Sequence, residues 1–235
     1  DVERSRGLGD VYKRQVYIIR IIPIFFVISV GIAMLLYPGG NIHDPNQVGY
    51  VFTHNFLSEL GRYVTNSGDI NFFSQILFNQ AMISYLLVGI GFLFVPQYFK
   101  DDPFSYTVAW IGSIFIFIGS LFFAGVGFTP ADLYFEPHVF FALNAFRLLV
   151  PGTFFYLIVL IRQKMPTFEI ASLGFLCLST IAYVIFQIVS GGPYGSAESM
   201  VQQATAQKII VIINVASMLI LSNSFNRINK RLILS

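Results

Sequence analysis

The sequence predicts an all-α fold, a polytopic membrane helix bundle of six transmembrane helices plus one short interfacial helix. Three observations predict it. Apolar residues make up 55% of the 235 residues and charged residues only 11%. Soluble domains carry about 25% charged residues, so a chain this poor in charge must turn much of its outer surface to lipid. Six apolar stretches are each long enough for a bilayer core of about 30 Å, which takes about 20 helical residues to cross. The few Lys and Arg residues outside them fall almost entirely on alternate loops.

Residues 1–15 stand apart. The run from Arg6 to Gln15, Arg-Gly-Leu-Gly-Asp-Val-Tyr-Lys-Arg-Gln, looks like translated sequencing adapter, and such segments are set aside before fold reasoning. The expected division is a non-native segment over 1–15 and a single six-span membrane domain over 16–235.

The first span is expected over 16–37. Arg20 lies near its start, where it can snorkel to the interface, and Pro23 is tolerated in the first turns; Pro38-Gly39-Gly40 ends it. Over 50–64, apolar Phe52, Phe56, Leu57 and Leu60 alternate with polar His54, Ser58, Glu59 and Arg62. That spacing suits a short helix lying in the interface plane. The second span covers 71–99, closed by Lys100-Asp101-Asp102-Pro103, and the third 106–128, closed by Thr129-Pro130. Gly112, Ser113, Gly119 and Ser120 in the third allow close helix packing. The fourth, fifth and sixth spans cover 138–161, 170–190 and 204–225.

Orientation follows from the basic residues. Lys100, Arg162, Lys164, Arg227, Lys230 and Arg231 belong to one set of loops, while the other holds only Arg62 and Lys208. The basic set is expected in the cytoplasm. The expected location is therefore the cell membrane, multi-pass, with both termini cytoplasmic. A formal charge of +2 does not point to nucleic acid, and the single Cys177 cannot form an intramolecular disulfide. Membrane lipids are the expected partners.

That orientation gathers His54, Ser58, Glu59, Arg62, Asp132, His138, Gln207 and Lys208 at one membrane face. Three chemistries are open to them. A polar pocket for a lipid head group would use Asn55, Ser58, Glu59, Arg147 and Lys208, with the rest tying loops to the bundle. In that reading Glu59 pairs with a neighbouring cation and Asp132 caps the fourth span. A membrane lipid hydrolase would use Ser58 as nucleophile, His138 as base and Asp132 as orienting acid. Zinc, the one candidate cofactor in a chain otherwise expected to need none, would be held by His54, His138 and Asp132. A small-solute transporter would use Arg147, placed inside the bundle among Asn79, Gln80 and Asn214, because a charge at this depth normally faces other polar groups.

The stretch Asn55-Phe-Leu-Ser-Glu-Leu-Gly61 is followed by Ser67-Gly68, Asn71, Ser74 and Leu77-Phe78. It resembles the first outer loop and second span of the DUF998 family of integral membrane proteins. Gly127-Phe-Thr-Pro-Ala-Asp132, with His138 and Phe146, resembles that family's loop between spans three and four, and Gln207-Lys208 fits the head of its last span. The plan is also similar to the Frag1/DRAM/Sfk1 group, with six spans and a Ser-acidic-Gly motif in the first outer loop. The resemblance runs over essentially the whole chain from Val16. It implies a six-span fold and no particular activity.

Overall fold

The computed structural model describes residues 2–234, with side chains at residues 16–229. The expectation of a non-native segment over 1–15, and the tail residues Lys230 and Arg231, fall outside the described side chains.

Among the described residues there are six α-helices: α1 (Val2–Leu36), α2 (Phe72–Phe94), α3 (Pro103–Phe128), α4 (Phe135–Arg162), α5 (Thr167–Val189) and α6 (Ala197–Leu234). Each contains a stretch long and apolar enough to cross a membrane. α2 continues through a 3-10 turn, Val95–Phe99, that is opened by Pro96. α6 starts at Ala197, earlier than expected, because a polar first turn (Glu198, Gln202, Gln203) stands above the apolar part.

Each helix packs on its neighbours in sequence, and α6 returns to α1, so the six form a closed ring. Small residues set the close contacts. A Cβ at Gly112 would meet the Tyr156 ring at 2.9 Å, and one at Gly125 the Phe141 ring at 2.6 Å. Ser113 donates to the Phe92 carbonyl at 2.6 Å and shares a hydrogen bond with the Tyr156 hydroxyl. The small-residue stripe read from α3 therefore does pack against its neighbours.

At the end where α2 and α4 finish, the ring's centre is filled by aromatics. Phe225 of α6 lies 5.8 Å from Phe92 and 5.9 Å from Tyr156, centroid to centroid, and stacks on Tyr98 at 6.0 Å. Outside this plug, Arg162 grips Asp102 through two hydrogen bonds of 2.6 and 3.1 Å, and Ser105 donates to the same carboxylate. These bonds hold the Asp102 carboxyl well below its usual range. Buried Glu169 accepts from Ser224 at 2.6 Å and forms an ion pair with Arg227 at 3.0 Å, fixing the start of α5 to the end of α6.

The other end carries the long connection between α1 and α2. An interfacial helix was expected across 50–64. The helical part is only a five-residue 3-10 turn, Leu57–Gly61, and Glu59 within it is buried along with Leu57 and Leu60. The segment is held inside a folded cap by side chains from three other regions, so a helical periodicity was never needed there. Isolated bridges Gly39–Val48 and Val64–Ile70 pin its two halves.

Gly61 is where the cap meets α2. A Cβ there would lie 2.5 Å from Asn79 Oδ1 and 2.7 Å from Phe78, and Asn79 donates to the Gly61 carbonyl. Overpacking of this kind costs about 1–3 kcal/mol. Gly61→Ala is expected to lower the thermal unfolding midpoint of the purified protein by about that much stability, while Gly191→Ala, where nothing lies within 4 Å but φ is +73°, tests backbone strain alone. A Gly61→Ala protein as stable as the wild type would mean the cap is not seated on α2.

Candidate functional site

Three connections interlock to form the cap. Asp132, between α3 and α4, accepts from the Tyr63 and Val64 amides at 3.0 and 2.8 Å. Gln207 of α6 accepts from the Leu57 amide at 2.8 Å. Between α5 and α6, the Pro193 carbonyl lies 3.0 Å from His43 Nε2.

Asn55 is the hub of the cap. Its amide nitrogen donates to the Gly40 carbonyl (2.8 Å) and Glu59 (2.6 Å), and its oxygen accepts from Gln47 (2.6 Å) and the Val51 amide (2.9 Å). Lys208, fully buried, donates to the carbonyls of Asn55 and Ala204. Its ammonium lies over the rings of Tyr50 and Phe52 at 5.6 and 5.3 Å from their centroids. Both residues hold the cap's frame, and neither lines the cavity described next.

Glu59 was expected to pair with a cation. Glu59 forms no ion pair with any described residue; its oxygens accept from Asn55 and, at 3.0 Å, from Asn66. Burial pushes its carboxyl up to about 7, against the opposing effects of the Asn55 bond, the Arg62 and Lys208 charges and the Asn66 bond. Burial, with Glu59 nearby, also raises the Tyr37 and Tyr50 hydroxyls, which stay protonated and donate to the carbonyls of Gly40 and Asn55.

Under the cap lies a cavity of about 380 Å³. Ser58, Glu59 and Arg62 line it from the cap, His138 from α4, Gln187 from α5 and Gln207 from α6. His138 is 5% exposed. Its Nδ1 lies 2.6 Å from the Thr129 carbonyl. A carbonyl only accepts, so Nδ1 carries the proton and Nε2 is a bare acceptor. That Nε2 is buried with no hydrogen-bond partner, and so is Gln187 Oε1. Arg62 uses Nε on the Val64 carbonyl, which leaves its terminal nitrogens without a protein acceptor among the described residues. The residues lining this one space thus include two with a buried, unpaired acceptor, a carboxyl and a guanidinium.

The sequence-derived candidates scatter. Ser58, Glu59 and His138 share the cavity. No hydrogen bond joins Ser58 to His138 among the described residues, and Asp132 does not orient His138: its oxygens bond the Tyr63 and Val64 amides, and Thr129 takes the orienting position. Nor does Asp132 cap α4, whose N-cap Tyr134 makes no side-chain cap bond. His54 is exposed and meets only its neighbour Thr53, at 2.9 Å. His54, His138 and Asp132 do not come together, and among the described residues no three His, Cys, Asp or Glu side chains converge as a metal site.

Arg147 is the clearest correction. It was expected inside the bundle and is exposed, bonded to Asn144 at 3.3 Å. The inward stripe of α4 runs through His138, Ala142, Phe146, Leu149, Thr153 and Tyr156, and Arg147 stands off that stripe, on the side of exposed Phe140 and Phe154. Asn79 bonds Gly61, Gln80 is exposed, and Asn214 is buried in the interior with its Oδ1 unpaired. The four never form a midplane site.

Gln187 was missed. Its only signal was an amide near the end of an otherwise apolar span, and Gln203 and Gln207 carry the same signal one helix later. No family model, no curated protein and no solved structure matches this chain.

Proposed function

We propose that this multi-pass membrane protein binds the polar head of a membrane lipid in the cavity beneath its cap. The capped end then faces away from the cytoplasm and both termini lie in the cytoplasm, as the basic residues near the opposite end favour. The 3-10 turn Leu57–Gly61 stands in for the interfacial helix. The DUF998-like motifs support the same plan: Asn55, Glu59, Gly61, Asn71, Asp132 and His138 all contribute to the cap or its cavity.

One observation carries the reading: His138, whose Nε2 is buried without a partner, is a wall residue of a cavity of about 380 Å³, so a small turn of its ring brings that acceptor to a ligand there. A buried acceptor without a partner costs about 1–3 kcal/mol, and a ligand donor placed there recovers that energy. Gln187 Oε1 asks for a second donor, Glu59 favours a cation, and Arg62 suits a phosphate. A phosphate ester carrying an ammonium or hydroxyl group meets all four.

Lipid retained through purification tests this. His138→Asn keeps a donor at the Nδ1 position and removes Nε2. Retained phospholipid, measured by mass spectrometry, is expected to fall about tenfold with folded yield unchanged. Equal lipid in both proteins would sink the proposal.

Lipid hydrolysis is the second reading, and the His138 tautomer favours it, because Nε2 is the nitrogen able to take the Ser58 proton. A serine-reactive fluorophosphonate separates the two. Binding alone predicts no labelling; labelling lost in Ser58→Ala would establish the hydrolase. A transporter reading lacks its Arg147 site and meets the aromatic plug at the far end.

A further inference from the structure

Beneath the head cavity the bundle is not solid. A second cavity of about 50 Å³ begins at Ser58, Ala142 and Gln207, which also line the first. A third, of about 40 Å³, shares Tyr85, Phe123 and Asn214 with the second. The three follow one stripe of α6, Gln203, Gln207, Val211, Asn214, Met218 and Leu221, whose length is about 27 Å at about 1.5 Å per residue. That is close to the thickness of a bilayer's hydrocarbon core. The seam then stops at the plug of Phe92, Tyr156 and Phe225.

Its chemistry is that of hydrocarbon. The hydroxyls of Ser120 and Thr153 donate back to carbonyls of their own helices, and Asn214 Oδ1 is the one unpaired buried atom along the two inner cavities among the described residues. Tyr85 and Asn214, shared by the two inner cavities, are polar points in linings that are otherwise mostly apolar. Met82 lines the second cavity and Met218 the third. Unbranched thioethers change rotamer at little cost, so both voids can widen without moving a helix.

We infer that the seam is a slot for one hydrocarbon chain, and that the ligand is a single-chain phospholipid, its head under the cap and its tail running toward the aromatic plug. This rests on the head-group reading above. As they stand the two inner cavities, of about 50 and 40 Å³, are too small for a chain; turning Met82 and Met218 widens them along a single file, which leaves no second track inside the bundle for a two-chain lipid. Ala142, at the junction of the first two cavities, is the gate between head and tail.

The test uses the full chain in phospholipid nanodiscs with lysophosphatidylethanolamine carrying a diazirine, either near the ester or near the methyl end of the chain. After illumination, crosslinked residues are mapped by mass spectrometry. The ester-end probe is expected at Ala142 and Gln207, and the methyl-end probe between Val211 and Leu221. Ala142→Phe is expected to cut methyl-end labelling about tenfold and leave the fold intact, read from its elution and unfolding midpoint. Ester-end labelling at the mouth with methyl-end labelling only at lipid-facing Ile209, Ile212 or Leu178 would overturn the slot and leave the head site standing. Absence of both from the cavity would overturn both. Unchanged methyl-end labelling in Ala142→Phe would overturn the route through the gate.

Discussion

Asn55→Ala is expected to cost about 4 kcal/mol, the largest loss of any single side chain in the cap. The substitution deletes four hydrogen bonds inside a fully buried site: to the Gly40 carbonyl, to Glu59, from Gln47 and from the Val51 amide. Each neutral bond contributes about 1 kcal/mol net, and one to a charged group about 1.5–3. The part-buried Val51 amide loses its acceptor, and Glu59 loses the shorter of its two donors. At roughly 2–4 °C per kcal/mol for a domain of this size, the unfolding midpoint falls by roughly 10 °C. Asn55→Asp fares no better, because it sets a second carboxylate against Glu59. His54→Ala is the control, one residue away and exposed, and is expected to stay within about 0.5 kcal/mol of wild type. Equal effects at the two positions would show that the cap does not hang on Asn55.

The second large effect is a dependence of stability on pH that traces to Glu59. Burial raises its carboxyl from 4.5 to about 7, so the folded protein holds this proton more tightly than the unfolded chain does. The contribution to stability is therefore complete below about pH 4.5, is lost as pH rises toward 7, and is flat above that. At 1.36 kcal/mol per unit, the loss approaches about 3 kcal/mol. Asp102 acts with the opposite sign at lower pH: its carboxyl is held down by Arg162 and Ser105, so its contribution is lost as pH falls below the ordinary carboxylate range. Subtracting the profile of Glu59→Gln isolates the Glu59 component. Gln keeps an acceptor for Asn55 and cannot ionise. Parallel profiles for wild type and Glu59→Gln between pH 4.5 and 7 would show that Glu59 is ionised throughout.

The lipid-binding and crosslinking experiments read a different property, occupancy of the cavity, and neither Asn55 nor Lys208 lines it. Loss of the cap's frame and loss of the ligand's contacts are thus separable. His138→Asn should release lipid without lowering stability as Asn55→Ala does.

The sequence was legible where one property repeats over many residues. Length and apolarity place six spans because the bilayer asks the same thing of every residue in a crossing. Turn residues such as Pro38 and Gly39 mark the ends. The grouping of Ser58, Glu59 and His138 at one membrane face was also readable, since span order alone decides which loops share a side. Pairing within that face was not. Asp132 and His138 are six residues apart and look like partners, yet Asp132 bonds amides at 63 and 64 and His138 bonds Thr129. Hydrogen-bond choice depends on direction and distance at a scale of tenths of an ångström, and spacing along a chain carries no such information.

What the sequence determined by itself is the six-helix membrane plan, its small-residue packing on α3 and the end of the bundle where polar chemistry collects. Tertiary structure alone decided that Arg147 faces outward, that the segment around Glu59 is a buried cap and not a surface helix, and that Gln187 joins His138 at one cavity. For Arg147 and Gln187 the physical reason is the same. A lipid-facing and a core-facing residue are both tolerated on an apolar helix, so composition does not distinguish the faces, and only the packing of neighbouring helices sets each helix's rotation about its own axis.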